Sequence, residues 1–189
     1  MTWPPAYSCA PGLAAAAGRY ALRPLRWDDR EPIRQWRNDQ LDVLRQDRPL
    51  SPADQDRYYL DVVAPQMVAE RPLQVLVAMT EDDALVGYGG VVHLSWSDRR
   101  GEVSFLTDTA RLDEATFAAD WRAYLDLLLP LARDVLRLHK LTSETYEVRT
   151  TLIPILEQHG FVLEGTLREH HLLEGRWVTS LAHGLILGD

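Results

Sequence analysis

The spacing of apolar residues along the chain predicts an alternation of strands and helices. From 113 to 138 they recur at steps of three and four, which predicts a long amphipathic helix that Pro130 kinks or divides. Shorter runs of strand-like composition are bounded by turn residues, such as Glu174-Gly175 before the last one. Helices are expected at about 28–37, 51–63, 113–138 and 150–158, and strands at about 20–25, 73–79, 84–96, 101–107, 140–146, 161–173 and 176–187.

This order of elements predicts an α+β domain built on a central mixed sheet, mostly antiparallel and seven-stranded, with helices on both faces. A length of 189 residues fits one domain, which we place at 19–189. Residues 1–18 contain three prolines and a run of alanines but no amphipathic period. We therefore expect a flexible N-terminal leader at 1–18.

The excess of acidic over basic residues argues against two classes of binding partner. The chain has 28 acidic and 20 basic residues and a net charge of −8, which argues against binding nucleic acid or an anionic membrane. Cys9 is the single cysteine, so neither a disulfide framework nor a cysteine-ligated zinc site is expected. No apolar run is long enough to span a membrane and no signal peptide is recognisable, so we expect a cytoplasmic protein.

One segment carries a specific resemblance. Residues 157–170, Glu-Gln-His-Gly-Phe-Val-Leu-Glu-Gly-Thr-Leu-Arg-Glu-His, resemble the Gly-Phe-x-x-Glu-Gly-x-x-Arg-Glu segment of the GNAT superfamily of N-acetyltransferases. The branch in question acetylates protein N-termini, diamines and amino sugars. Residues 20–25 are similar to the first strand of that fold, and 86–90 with 99–106 to its third and fourth strands. The resemblance covers about 20–187 and implies the GNAT fold.

The resemblance also implies where acetyl-CoA, the cosubstrate, would lie. Its pantetheine arm would pass between the strands at 101–107 and 140–146, beside the backbone of three residues: Phe105, Leu106 and Thr107. The diphosphate would lie at the start of the long helix, near Arg111, Glu114, Ala115, Thr116 and Arg149. However, no glycine occurs between Gly101 and Gly160, so the glycine-rich diphosphate loop of the family is missing. The position of the family's catalytic tyrosine holds Leu156.

Three residues are candidates for proton transfer. Glu102 is the first choice for a general base, with His170 next, and Tyr146 is the nearest substitute for the missing tyrosine. Glu102 has an alternative role as an ion-pair partner of Arg99 or Arg100. His171 is an alternative to His170, because consecutive residues of a regular strand point to opposite faces and only one can face the site. The histidine spacing predicts no metal site.

The resemblance implies transfer of an acetyl group to a primary amine of a small molecule. An amino sugar, free or nucleotide-linked, is our first expectation for the acceptor. Polyamines and protein N-termini remain alternatives, as does a longer acyl group. A second hypothesis is a non-catalytic binding module that has lost acetyl-CoA binding, which the missing glycines and Leu156 favour. The final hairpin is expected to allow a homodimer.

Overall fold

The structure, a computed structural model, describes residues 2–41, 44, 46 and 48–188. Its strands are β1 Ala15–Ala17, β2 Tyr20–Pro24, β3 Val75–Glu81, β4 Ala84–Ser95, β5 Arg100–Thr107, β6 Lys140–Tyr146, β7 Val162–Leu173 and β8 Arg176–Ile186. Its α-helices are α1 Arg30–Asp39, α2 Pro52–Tyr58, α3 Ala64–Val68, α4 Glu114–Pro130 and α5 Leu152–Gln158. The expected α+β class is confirmed.

All eight strands form one sheet, in the order β1-β2-β3-β4-β5-β6-β8-β7. Every neighbouring pair is antiparallel except β5 and β6, as expected for a mixed, mostly antiparallel sheet. The parallel ladder is short, because it joins only Arg100–Glu102 to Lys140–Thr142. Beyond it the two strands separate. The count differs from the predicted seven because β1, three alanines without periodicity, adds a strand.

Helices cover both faces of the sheet, as predicted. On one side, here the α1 face, Arg37 of α1 donates to the hydroxyl of Tyr88 on β4 at 2.7 Å. On the opposite α4 face, the buried Tyr124 hydroxyl donates to the Ser104 carbonyl at 2.7 Å and accepts from the Gly90 amide at 2.5 Å. A side chain at Gly89 would collide with the same carbonyl, so glycine permits this close packing.

The helix boundaries follow local signals in the sequence. Ser51 and Asp54 form a reciprocal capping box at the start of α2, with proline in its first turn. Pro130 ends α4, and a π-helical turn, Leu131–Val135, continues the predicted long helix. No helix among the described residues is long and apolar enough to cross a membrane.

The N-terminal segment differs from the expected flexible leader. Tyr7, Ala10 and Leu13 are buried in the core. The Tyr7 hydroxyl accepts a hydrogen bond from the Leu76 amide at 2.8 Å, and Trp3 Nε1 donates to the Leu25 carbonyl at 2.8 Å. The packing depends on irregular turns that carry no helical or strand period, so the pattern gave no sign of it. Residue 1 of the predicted leader lies outside the described residues.

Candidate active site

A cleft of about 260 Å³ opens where β5 and β6 separate. Because side chains alternate along each strand, the residues that line the cleft lie on two different faces of the sheet. Because Glu102 is paired with Thr142, Glu144 and Tyr146 lie on the same face as Glu102. Phe105 belongs to the α4 face, where its ring stacks on Tyr124 at 4.0 Å. Two hydroxyl residues that line the cleft, Ser143 and Thr145, share that α4 face.

Two of the predicted catalytic residues lie in this cleft. Glu102 is half-buried, and none of the ion pairs formed by the described residues includes it. Arg100, one of its expected partners, lies 3.5 Å from Asp98 instead. Tyr146 ends β6 and also lines the cleft. The structure therefore brings a carboxylate and a phenol to the same opening.

The predicted histidine is placed differently. His170 does not line the cleft and is about half exposed, with a side-chain exposure of 47%. Its Nε2 lies 4.0 Å from Glu144 Oε1, and His171 Nε2 lies 3.0 Å from the same oxygen. The expectation that consecutive histidines point to opposite faces is therefore wrong here. The reason is an irregularity in β7 between Leu167 and His171.

The three backbone positions predicted for pantetheine lie along β5. Phe105 and Leu106 line the cleft, but Thr107 does not. The Thr107 side chain is buried, and its carbonyl accepts a hydrogen bond from Gln40 Nε2 at 2.9 Å. The edge of β5 beyond Glu102, which faces away from β4, has no strand partner in the part of the chain that the structure describes. An extended amide-bearing arm fits such an edge, as in strand addition to a sheet.

Arg111 is paired with two carboxylates near the start of α4. Its guanidinium makes two hydrogen bonds of 2.7 Å to Asp120, which is fully buried, and lies 3.0 Å from Glu81. These contacts, above all the hydrogen bonds that Arg111 donates to Asp120, raise the pKa of Arg111. Arg111 does not line the cleft. Its observed contacts tie the start of α4 to the end of β3.

The start of α4 is occupied by its own carboxylates. Asp113 is the N-cap and accepts a hydrogen bond from the Thr116 amide at 3.0 Å, which lowers the pKa of Asp113. Glu114 begins the helix and accepts from the Thr151 hydroxyl at 3.5 Å. Ala115 lies between these residues in the first turn. A diphosphate would meet negative charge here, unlike at a glycine-rich helix start.

Arg149 is the predicted cofactor residue with the most suitable position. It lines the cleft just before α5, and its guanidinium lies 5.7 Å from the centre of the Phe117 ring in the first turn of α4. Leu156, at the family's tyrosine position, is fully buried in the core and does not line the cleft. The α5 region therefore contributes the Arg149 guanidinium to the cleft, whereas the family's tyrosine position, Leu156, contributes no hydroxyl.

Sequence reasoning missed several residues of the cleft. Glu144 and Thr145 line it, as does Arg37. Thr145 is buried, and its hydroxyl has no hydrogen-bond partner among the described residues. The signal for Glu144 was present, because alternation along β6 places it on the face of Tyr146. Arg37 carried no such signal, since only the packing of α1 brings it to β5.

Comparison with known families now gives the fold a name. Residues 22–181 match a family model described as an acetyltransferase (GNAT) domain. The chain belongs to this family. It is accordingly a GNAT-type acetyltransferase, and acetyl-CoA is the cosubstrate of such enzymes. No curated protein sequence matches it.

Solved structures of spermidine N-acetyltransferase from Vibrio cholerae share the fold. The complex with CoA and spermine is 16% identical, with a TM-score of 0.76, covering 89% of this chain and 96% of the other. A dodecameric form is 18% identical, with a TM-score of 0.75 and coverages of 89% and 94%. A chimera of the Vibrio cholerae enzyme and hSSAT is 16% identical, with a TM-score of 0.75 and coverages of 90% and 96%. At these identities the likeness is one of fold, and it confirms the predicted GNAT architecture.

Proposed function

We propose that this acetyltransferase acts on a primary amine of a small cationic molecule that lies in the cleft between β5 and β6. The observation that carries this proposal is the pair of carboxylates, Glu102 and Glu144, on the α1 face of the cleft. Both are only half-buried, so an ammonium group can reach these two acidic side chains from solvent. The net charge of −8 acts in the same direction.

Glu102 and Tyr146, both on the α1 face of the cleft, carry the proton transfers. Glu102 takes a proton from the substrate ammonium, directly or through a water, so that the amine nitrogen can attack the acetyl carbonyl carbon. The new C–N bond forms as the C–S bond breaks, and the sulfur leaves with the bonding electron pair. Tyr146 donates its phenolic proton to that sulfur, and the acylated nitrogen loses its second proton to solvent as the neutral amide forms. Tyr146 then recovers a proton from solvent, and Glu102 releases the one it took. General acid–base assistance of this kind contributes roughly 10²- to 10⁴-fold to a rate.

Arg149 and Thr145 support binding of acetyl-CoA. The Arg149 guanidinium lies beside the first turn of α4, where it can pair with a phosphate that the capped helix start does not attract. Thr145 offers a buried hydroxyl without a partner among the described residues, on the wall of the cleft that faces α4. A ligand group that accepts its hydrogen bond would remove the cost of leaving it unsatisfied.

Assays with a panel of amines test which class of amine accepts the acetyl group. Release of free CoA thiol is measured with acetyl-CoA and, in separate reactions, spermidine, putrescine, glucosamine, a nucleotide-linked amino sugar and a peptide with a free N-terminus. Two half-buried carboxylates suit an amine that carries more than one positive charge, so we expect spermidine to exceed glucosamine in kcat/KM. The opposite order would favour an amino sugar, and turnover of the peptide alone would contradict a small-molecule acceptor.

Three variants test the assigned roles with the best amine. Glu102→Gln is expected to lower kcat by about 10²-fold or more and Tyr146→Phe by about 10-fold or more, because each removes a proton-transfer group. Glu157→Gln is the matched control, since this carboxylate is exposed on α5 and does not line the cleft. Equal kcat values in all three variants and the wild-type protein would refute the roles of Glu102 and Tyr146.

A binding measurement separates catalysis from a non-catalytic module. Loss of one charge-assisted hydrogen bond to phosphate costs about 1.5–3 kcal/mol, so Arg149→Ala should weaken acetyl-CoA binding by about ten- to a hundredfold in calorimetry. Arg133→Ala is the control, because this exposed arginine pairs with its neighbour Asp134. Absence of acetyl-CoA binding to the wild-type protein would favour the module instead.

We also propose a homodimer through the β7–β8 hairpin. β7 is an edge strand of twelve residues, and its exposed side chains include Val162 and Leu172, with exposures of 65% and 60%. Trp177 on β8 is 60% exposed. Long edges with apolar side chains are places where chains associate. Light scattering should show that V162K/L172K lowers the mass to that of a monomer, whereas Leu73→Lys, an equally exposed leucine outside the hairpin, leaves it unchanged.

A further inference from the structure

Three metal-ligating side chains from two strands meet beside the cleft. The ligand atoms of Glu144, His170 and His171 all lie within 4.8 Å of one another. Both histidines direct Nε2 to the same oxygen, Glu144 Oε1, at 4.0 Å for His170 and 3.0 Å for His171. No pair of these residues has a sequence spacing that indicates a metal site, because the carboxylate comes from β6 and the histidines from β7.

A distortion of the backbone brings the two consecutive histidines together. Between the pairs Leu167–Ser180 and His171–Val178, β7 advances four residues while β8 advances two. Glu169 within this bulge has φ = 51°, in the left-handed region that is uncommon for residues other than glycine. A regular strand would separate the two imidazoles across the sheet. The bulge instead places their rings 4.8 Å apart in an edge-to-face arrangement.

We propose that Glu144, His170 and His171 bind a divalent transition-metal ion, with Zn²⁺ as the best-suited probe. Two imidazole nitrogens and one carboxylate oxygen form a ligand set of the kind found in zinc sites that keep a coordination position open. His170, with a side-chain exposure of 47%, leaves one side of the set accessible to solvent. This proposal does not depend on the acetyl transfer.

The geometry requires only small movements to accept the ion. Ligands bound to zinc at about 2.0–2.2 Å lie roughly 3–3.5 Å from one another, and the His171–Glu144 distance of 3.0 Å already fits. His170 Nε2 must approach Glu144 by about 0.5–1 Å, and the widest separation in the cluster, up to 4.8 Å, must shorten by about 1.3–1.8 Å, which the half-exposed His170 side chain can do. The Tyr146 ring lies 4.7 Å from the His171 ring and restricts its orientation.

Occupation of this site would also affect the cleft. Glu144 lines the α1 face of the cleft, so a bound cation would neutralise one of the two carboxylates proposed to attract the amine. Zn²⁺ should therefore raise the KM for the amine, and EDTA should restore it. This effect links the two proposals, but the binding of the ion is measured without either substrate.

The test is titration of the full-length protein with ZnCl₂ by calorimetry, after removal of metal with EDTA and dialysis. We expect one ion per chain, and a loss of affinity of about tenfold or more in His170→Ala and in Glu144→Gln. His93→Asn is the matched control, because His93 is exposed, lies outside the cluster and has φ = 52°, which asparagine tolerates. Equal thermal unfolding of the metal-free variants and the wild-type protein checks that each variant is folded.

Each possible result of the zinc titration either supports or overturns the proposed site. Binding that H170A and E144Q weaken and H93N leaves intact supports the site. No binding to the wild-type protein, or binding that H170A/E144Q retains, overturns it. Because the titration contains neither acetyl-CoA nor amine, a failure here says nothing against acetyl transfer. Conversely, an inactive protein that binds one zinc ion would contradict only the proposed function.

Discussion

Removing the buried ion pair at the start of α4 should destabilise the protein without weakening acetyl-CoA binding. Asp120 is fully buried and accepts hydrogen bonds from Arg111 at 2.7 Å and from the Tyr20 hydroxyl at 3.0 Å. Breaking a buried pair from one side costs about 3–5 kcal/mol. Asp120→Ala leaves Arg111 partly exposed and still 3.0 Å from Glu81, so about 3 kcal/mol is expected.

The reverse substitution should cost more. Arg111→Ala leaves the Asp120 carboxylate buried with the Tyr20 hydroxyl as its one partner among the described residues, for which we expect about 4 kcal/mol. In a chain of this size each kcal/mol lowers Tm by about 2–4 °C, so the two variants should unfold about 6–12 °C and 8–16 °C earlier. The double variant should lose less than the sum, because the second substitution removes the charge that the first left unpaired.

Circular dichroism during heating and calorimetry with acetyl-CoA make the two measurements. If Arg111 is structural, the Tm of the R111A variant falls. The Kd of that variant for acetyl-CoA, measured well below its Tm, then stays within about twofold of the wild-type value, because no phosphate contact is lost. A stable R111A protein with acetyl-CoA binding weakened about tenfold would refute this reasoning and restore Arg111 to the phosphate site predicted from the sequence.

Three further substitutions test other parts of the structure. Tyr7→Phe leaves the buried Leu76 amide without its acceptor and should lower the free energy of unfolding, measured by urea titration, by about 1–3 kcal/mol; no change would mean that the N-terminal segment does not pack in solution. Asp113→Ser keeps a helix cap but removes a charge, so calorimetry should show acetyl-CoA binding about two- to fivefold tighter, and weaker binding would contradict the proposed repulsion. Leu156→Tyr forces a larger side chain into a fully buried position and should cost about 1–3 kcal/mol in urea titration without raising kcat; a gain in kcat would show that this position reaches the thioester.

Periodicity predicted the fold because most elements bury one regular face. The pattern from 113 to 138 identified α4 and its π-helical extension, and Pro130 marked their junction. The segment before β2 packs without such a regular pattern. Tyr7 and Leu13 are buried individually from irregular turns. Their burial depends on contacts of this segment with β3 and α3 and not on a repeating pattern of apolar residues.

The candidate site was predictable where it depends on strands and not where it depends on long-range packing. Glu102 and Tyr146 line the cleft because they lie on two neighbouring strands, and their catalytic roles stay predictions. The ion pair of Arg111 was not predicted, because its partner Asp120 lies nine residues further on and only the geometry of α4 brings the two together. The joint position of His170 and His171 depends on a bulge that has no signature in sequence.

The absent glycines change the way in which a diphosphate can be held. In a glycine-rich loop several backbone amides at a helix start share the phosphate charge, and their dipoles are fixed by the fold. Here Asp113 uses the Thr116 amide for its own cap, so we expect the attraction to come from Arg149, whose guanidinium lies 5.7 Å from the Phe117 ring of that first turn. One half-exposed guanidinium is screened by salt far more than buried amides are. Acetyl-CoA affinity should therefore fall steeply between low and physiological salt in the wild-type protein and much less in R149A; equal salt dependence in both would mean that Arg149 does not bind the phosphates.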